Sequence, residues 1–347
     1  MTSVADDAPI FVVGTARSGT TLMRLLLSAH PRIYICHELS FYEWASFHPK
    51  HLDGTSFLKD YFRTHNFKGL RLESAMVMEN LPQRLEKPEV GLALRQIMRL
   101  KAHSVSRARY GDKSPDNIGH LRRIYADFPN ARVVVMARDP RTNIPSMQRR
   151  HFASSSDLAN CLTYVRARRR IWRFRDRVHI VRLEDLQRDP RKVMSEVLEF
   201  VGEEWSEDVL NHAQNRADPL DVPDEEWFAR AVTPIERQAH QRPTIPSERV
   251  RLIETMTRDS MRELGYEKLD LPSGPSAART ALRILAEVPE TLRFWFVVAR
   301  LLRWLRDPAH WDPENPRLAV LIRGINPKAS YSRLPPTIRS RPRSVSR

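Results

Sequence analysis

"PIFVVGTARSGTTLMRLLLSAHP", residues 9–31, decides the fold. Its first six residues are a short apolar run rich in β-branched side chains, the pattern of a parallel strand buried on both faces. Beyond the turn, Leu22, Leu25, Leu26 and Ala29 recur at helical spacing. His30-Pro31 stops that helix, because the residue before a proline avoids the α region. Between strand and helix run Gly14, four residues, Gly19, then Thr20 and Thr21. A loop of this length that binds a nucleoside triphosphate carries lysine directly after the second glycine, where the ammonium reaches the β/γ-phosphates. Thr20 stands there instead, so the stretch keeps an anion-cradling backbone without the triphosphate lysine.

A glycine-rich turn that opens a helix points N–H groups and the positive end of the helix dipole at an anion. Arg17, Ser18, Thr20 and Thr21 add side-chain donors, and Gly19 lets the backbone turn. The missing lysine, and the lack of a strand ending in paired acids, argue against triphosphate chemistry. A phosphate ester without a γ-phosphate fits better. Two other readings of the loop stay open: a P-loop nucleotide kinase, and a basic nucleotide- or polyanion-binding protein without turnover.

Working outward, "RIYIC" (32–36), "ARVVVMARD" (131–139) and "VHIVRLEDL" (178–186) read as further strands alternating with helical segments. That alternation predicts an α/β fold, a P-loop-like central parallel sheet flanked by helices. Residues 40–110 read as helical and loop-like walls of a substrate pocket. Val193, Val197, Leu198 and Val201 mark one amphipathic helix after Asp189-Pro190, and residues 248–266 a second, stopped by Gly265. Residues 205–247 read as long loops that order on a ligand.

Lys and Arg number 57 against 42 Asp and Glu, a net charge of +15. Such a chain attracts polyanions or anionic membrane surfaces. No zinc-finger, RRM or KH pattern accompanies the charge, so specific nucleic-acid recognition is not expected. Cys36 and Cys161 stand far apart, which excludes a disulfide framework and a CxxC metal site and suits a reducing compartment. "MTSVADDAP" lacks the positive and apolar regions of a signal peptide, so a cytoplasmic protein is expected.

The second informative stretch is "VVVMARDPRTNIPSMQRR" (133–150), in which a strand delivers Arg138 at its end, with Ser146 and Arg150 following. The carboxyl edge of a parallel sheet is where α/β folds bind nucleotides. An arginine with a serine hydroxyl suits one additional phosphate. Taken alone, Arg138 reads equally well as an ion-pair partner of Asp139 or Glu184.

Together these motifs resemble the sulfotransferases that use 3′-phosphoadenosine 5′-phosphosulfate (PAPS). Through "RSGTTLMR", "AHP", "DKSP" and "RDPR...S" they look most like the tyrosylprotein sulfotransferases and related bacterial enzymes, over roughly residues 9–270. The resemblance implies that Arg17, Ser18, Gly19, Thr20 and Thr21 grip the 5′-phosphosulfate, while Arg138 and Ser146 hold the 3′-phosphate with Arg150 helping. It places the catalytic base 21 residues beyond Arg17, on Glu38 in "CHELSFY", with His37 as the alternative. It puts Lys113 of "GDKSP" beside the transferring sulfuryl group, where Arg17 and Lys113 stabilise charge. PAPS is then the co-substrate and PAP the product, and no metal is expected, because a sulfuryl group carries less charge than a γ-phosphate. The acceptor is a hydroxyl or amine on a small molecule, sugar or lipid. Three departures stand out. Pro140 sits where relatives carry glycine, no stretch of these residues reads as the membrane anchor of the tyrosylprotein enzymes, and no lysine between 193 and 267 matches their late loop, leaving Arg230, Arg237 or Arg242 as substitutes.

Residues 1–270 therefore read as the catalytic domain, 271–330 as a basic helical extension, and 331–347 as a disordered Arg/Ser/Pro tail. In "TLRFWFVVARLLRWLRD" (291–307), Arg293, Arg300, Arg303 and Arg306 lie opposite Phe294, Val298, Leu301 and Leu305. The run is too short and too charged to span a bilayer. Its apolar face either packs on the domain or on a second subunit as a homodimer, or docks peripherally on anionic lipid.

Overall fold

The computed structural model describes residues 8–47, 53–82, 89–150, 152–214, 245–271, 277–304 and Ile325. Five strands, β1 (Ile10–Gly14), β2 (Ile33–His37), β3 (Arg109–Lys113), β4 (Arg132–Ala137) and β5 (Val178–Arg182), form one sheet in the order β2-β3-β1-β4-β5. All four pairings are parallel. The helices around it, in chain order, are α1 (Thr20–Ala29), α2 (Phe41–Phe47), α3 (Gly54–Phe62), α4 (His65–Lys68), α5 (Ser74–Glu79), α6 (Val90–Ser104), α7 (Leu121–Asp127), α8 (Pro140–Gln148), α9 (Asp157–Trp172), α10 (Leu183–Arg188), α11 (Pro190–Val201), α12 (Ser247–Glu263) and α13 (Ala277–Trp304).

The chain leaves β1 through α1 to β2 on one side, returns with β3 between them, then crosses to β4 on the other side of β1. The carboxyl end of β1 is therefore the topological switch point, where open α/β sheets hold ligands. Alternate strand residues feed two cores, as a side-chain period of two requires. Phe11, Val13, Tyr34, Cys36, Val133 and Val135 pack with side chains of α3, α6 and α7. Ile10, Val12, Ile33, Ile35, Val134 and Met136 pack with Met23, Leu26 and Leu27 of α1 and Val193, Val197 and Val201 of α11.

Strand β3 is the element that the pattern of apolar runs missed. Residues 40–110 hold helices, as read, but Arg109 and Tyr110 open a strand that inserts between β2 and β1. All of "RYGDK" is buried. Arg109 is tolerated there because its Nη1 donates to Glu203 Oε1 at 2.6 Å and its Nη2 to the carbonyls of Ala8 and Val201 at 3.2 and 3.0 Å. A buried guanidinium needs such partners.

Two compact units divide the fold. The first holds the sheet, α1, α3–α7, α10 and α11; the second holds α8, the start of α9, α12 and α13. In the second unit Asp139 caps α8 through Arg141 N at 2.9 Å and also accepts from the Arg141 guanidinium, which reaches Glu254 Oε1 on α12 at 2.8 Å. Helix α13 begins fourteen residues earlier than the 291–307 reading, and Leu305 and Arg306 lie outside the described residues. Phe294 is buried with Ala159 and Ile325, and Val298 and Leu301 pack at the margin of that cluster. Among the described residues no helix is long and apolar enough to cross a membrane.

Candidate active site

The loop after β1 is built as an anion cradle. Arg17 and Gly19 both take positive φ, 67° and 95°, with Ser18 between them. Ser18 is buried and ties the loop to itself, its Oγ donating to the Thr15 carbonyl at 2.7 Å. A Cβ on Gly14 would lie 2.5 Å from the Met136 carbonyl oxygen, a backbone atom that cannot give way, whereas Gly19 is required by its φ of 95°, a conformation that side chains rarely adopt. Helix α1 opens at Thr20 with Gly19 as its N-cap and no side-chain cap. Its first N–H groups are left for an anion, and the helix dipole favours one there. Thr15 Oγ1 is buried without a partner, a further polar atom that a bound oxyanion would satisfy. Arg138, just past the end of β4, donates Nη1 to the Arg17 carbonyl at 3.0 Å and so braces the same loop.

Glu38 and Lys113 meet at the neighbouring strand ends. Lys113 Nζ lies 2.5 Å from Glu38 Oε1; the lysine side chain is wholly buried, whereas that of Glu38 stays 40% exposed. Register explains the encounter, since Lys113 pairs with Val12 of β1 and His37 of β2, one residue before Glu38. Glu38 (φ 42°) and Ser40 (φ 46°) hold left-handed backbone conformations that cost non-glycine residues energy. Residues around β3 hold them. Glu38 N donates to the Lys113 carbonyl (2.8 Å), Leu39 N to Asp112 Oδ1 (3.1 Å) and Ser40 N to Ser114 Oγ (2.9 Å). Tyr61 Oη donates to the Leu39 carbonyl at 2.9 Å, and Asn66 Nδ2 to that of Glu38. Of this clamp the sequence reading had Lys113 alone; Asp112 and Ser114 flank it in "GDKSP", and that adjacency was the available signal.

Burial lowers the Lys113 pKa from its ordinary value, Glu38 pulls it back up, and the nearby Arg24 guanidinium lowers it again. Arg24, the last residue of "RSGTTLMR", is itself buried on α1 and carries positive potential into the site. Burial, then Lys113 and Arg24, hold His37 well below the usual imidazole range, so it stands neutral, with Nε2 buried and unpartnered. On the solvent side His120 Nε2 lies 2.9 Å from Glu43 Oε2. Desolvation, then the carboxylates of Glu43 and Glu38, push the exposed Asp116 up to about 6.

Asp112 yields a pH prediction. Burial pushes its carboxyl up to about 6, against the opposing hydrogen bonds from Leu39, Ser114 and Asn117. The native group therefore keeps its proton between its ordinary 3.8 and about 6, a window in which the unfolded chain has released it. Stability falls as pH rises through that window, by about 3 kcal/mol in all, and this contribution is flat above it. Asp112→Asn removes that part of the slope. It keeps an acceptor for Leu39, and because Asn117 Nδ2 now donates to Asp112 Oδ2 at 2.9 Å, the Asn117 amide has to turn over to present its unpartnered Oδ1 to the new amide. Denaturant titrations of both proteins from pH 4 to 7 check this; superimposable pH slopes would assign the penalty to another group.

Ser146 lies half-buried on α8 and Arg150 half-buried just beyond its end, both in the second unit. Of the loops read at 205–247, Glu207–Asn211 form a 3-10 helix and Ser247 opens α12, while 215–244, with Arg230, Arg237 and Arg242, lie outside the described residues, as do 331–347. Among the described residues no group of three His, Cys, Asp or Glu is disposed to hold a metal ion.

A family model described as "Sulfotransferase family" matches residues 9–207, more than half of the sequence. The chain belongs to that sulfotransferase family. The matched span includes Arg17 to Thr21, Glu38, Lys113, Arg138, Ser146 and Arg150, and excludes α12 and α13. Curated sulfotransferases resemble part of the chain. Protein-tyrosine sulfotransferase 1 of Danio rerio is 28% identical over 218 residues, covering 60% of this chain and 57% of its own length. Protein-tyrosine sulfotransferase of Drosophila melanogaster is 25% identical over 228 residues, covering 62% of this chain and 42% of its own. The chain thus spans about half the length of these relatives. The sulfotransferase domain from the Synechococcus PCC 7002 olefin synthase superposes with a TM-score of 0.55 at 22% identity, over 76% of this chain and 96% of that domain, which shows the shared fold.

Proposed function

We propose that the chain moves a sulfuryl group from PAPS to a hydroxyl or amine acceptor, with Glu38 as the base. The observation that carries this reading is the half-exposed Glu38 carboxylate, fixed by buried Lys113 at the same sheet edge as the anion-cradling loop. PAPS supplies an activated sulfuryl group and departs as PAP. The N–H groups and side chains of Arg17 to Thr21 hold its 5′ end, and Arg17 with Lys113 offsets negative charge there. Glu38 orients the acceptor and takes its proton. Family membership and the motif spacing support Arg138, Ser146 and Arg150 as holders of the 3′-phosphate. No metal has a part in this reading, which assigns charge stabilisation to the two side chains. Acceptors are small molecules, sugars or lipids; the relatives' names add protein tyrosine as an arm to test.

Labelled PAPS, offered with phenols, sugars, lipids and a tyrosine peptide, together with PAP calorimetry, tests the proposal. No measurable PAP binding overturns it. Magnesium-ATP binding tighter than PAP restores the kinase reading, and PAP binding without turnover of any acceptor favours a non-catalytic nucleotide-binding protein. Arg138→Ala is expected to weaken PAP by about 1.5–3 kcal/mol, the range for a hydrogen bond to a charged group. Adenosine 5′-phosphosulfate, which lacks the 3′-phosphate, should lose little. Equal losses would leave Arg138 only its observed work as a brace on the Arg17 carbonyl.

A further inference from the structure

Helix α13 shows solvent a surface unlike that of an ordinary covering helix. Among its described side chains, every exposed one is apolar or arginine. Leu282, Leu285, Leu292 and Phe296 are 65%, 63%, 65% and 64% exposed, and with Pro289 they recur at three- and four-residue steps along one stripe. Arg279 lies near one end of it, Arg300 and Arg303 at the other. The acids of the helix are turned away. Glu290 is engaged by Arg293 Nη2 at 2.5 Å and by the Ser155 hydroxyl at 2.8 Å, and Glu287 is half-buried on the side of Arg249 and Cys161. The stripe is not the face picked from the sequence: the Phe294, Val298 and Leu301 side packs with Ala159 and Ile325, so the helix is seated and still leaves this second apolar face bare.

We propose that α13 docks the protein on an anionic lipid surface, with Leu282, Leu285, Leu292 and Phe296 in the headgroup–acyl boundary and Arg279, Arg300 and Arg303 on lipid phosphates. Large exposed leucines and a phenylalanine flanked by arginine suit that boundary, where apolar burial and attraction to anionic headgroups add. Three- and four-residue spacing also suits a helix–helix seam. A second copy is the weaker occupant, because it would bring these arginines against their own kind with no exposed acid on the helix to offset them, and Pro289 sits within the seam. The net charge of +15 acts in the same direction as the three arginines.

The test uses the full chain, floated with vesicles of phosphatidylcholine alone and of phosphatidylcholine with phosphatidylglycerol, at low and high salt. Flotation is expected with the anionic vesicles at low salt and should weaken as salt screens the arginines. Replacing Arg300 and Arg303 with Gln should reduce partitioning roughly 25-fold, about five-fold for each arginine. Leu285→Glu with Phe296→Glu should abolish flotation while PAP affinity and the melting temperature stay at parental values, since both side chains are exposed. The proposal is overturned if the parent never floats at low salt or if the Leu285/Phe296 variant floats as the parent does. It also fails if sedimentation shows a dimer that this variant disperses without any lipid binding, which would make a second copy the occupant.

Discussion

Glu38→Gln is expected to lower kcat by about 10²–10⁴-fold, the usual contribution of a positioned base, with PAP affinity nearly unchanged. Glutamine keeps an oxygen for Lys113 Nζ, which lies 2.5 Å from Oε1, so the strained turn and the buried ammonium keep a hydrogen-bond partner, while the ammonium loses its counter-charge and its pKa falls further. What is lost is the acceptor for the proton of the attacking group. Glu38→Ala is the poorer experiment, because it strands a wholly buried ammonium, and an uncompensated buried charge costs several kcal/mol. His37→Gln serves as the control. Its Nε2 is buried without a partner, but burial, then Lys113 and Arg24, disfavour the charged imidazolium, so it is the weaker base. Single-turnover rates and PAP calorimetry on both variants separate the two; a rate loss confined to His37→Gln would move the base to the imidazole, and losses in neither would remove general-base catalysis from this sheet edge.

Gly111→Ala is expected to destabilise the fold by about 4 kcal/mol or more, beyond the common range for a single added methyl. A Cβ at Gly111 would sit 2.0 Å from the Ile10 carbonyl oxygen and 2.7 Å from Ile35 Cδ1. The obstacle is the backbone of β1, whose register with β3 is set at that same pair, Ile10 and Gly111. Side chains adjust at small cost, but here two central strands would have to separate, and β3 also carries Asp112 and Lys113. Equilibrium urea unfolding measures the loss. A variant with parental stability would mean that β1 and β3 part without penalty, and the close approach would then not be a requirement of the fold.

The difference between β1 and β3 marks how far the chain can be read without its tertiary structure. The strand, loop and helix of residues 9–31 were legible because every signal is local: a short apolar run, two glycines with four residues between them, a helical leucine period and a proline stop. β4, β5 and α11 were legible for the same reason, as were the placements of Arg17 to Thr21 and Arg138 at strand ends. "RYGDK" hides its strand, because an apolar run is no guide where Arg109, Asp112 and Lys113 are all buried. They are tolerable inside the protein only through partners far along the chain. Arg109 needs Glu203, Asp112 needs Leu39 N–H, and Lys113 needs Glu38, at separations of 94, 73 and 75 residues.

The same division runs through the site and the extension. The expectation that Glu38 and Lys113 share a site came from family resemblance; that they touch, and that Asp112, Ser114, Tyr61 and Asn66 clamp the strained turn between them, depended on β3 entering beside β2. In α13 the amphipathic period was present in the residues themselves. Which apolar stripe would be covered was not, because a helix with apolar side chains on two faces commits one of them only when something packs there. Ala159 and Ile325 take the Phe294 face, and the stripe from Leu282 to Phe296 is left to solvent by that tertiary choice.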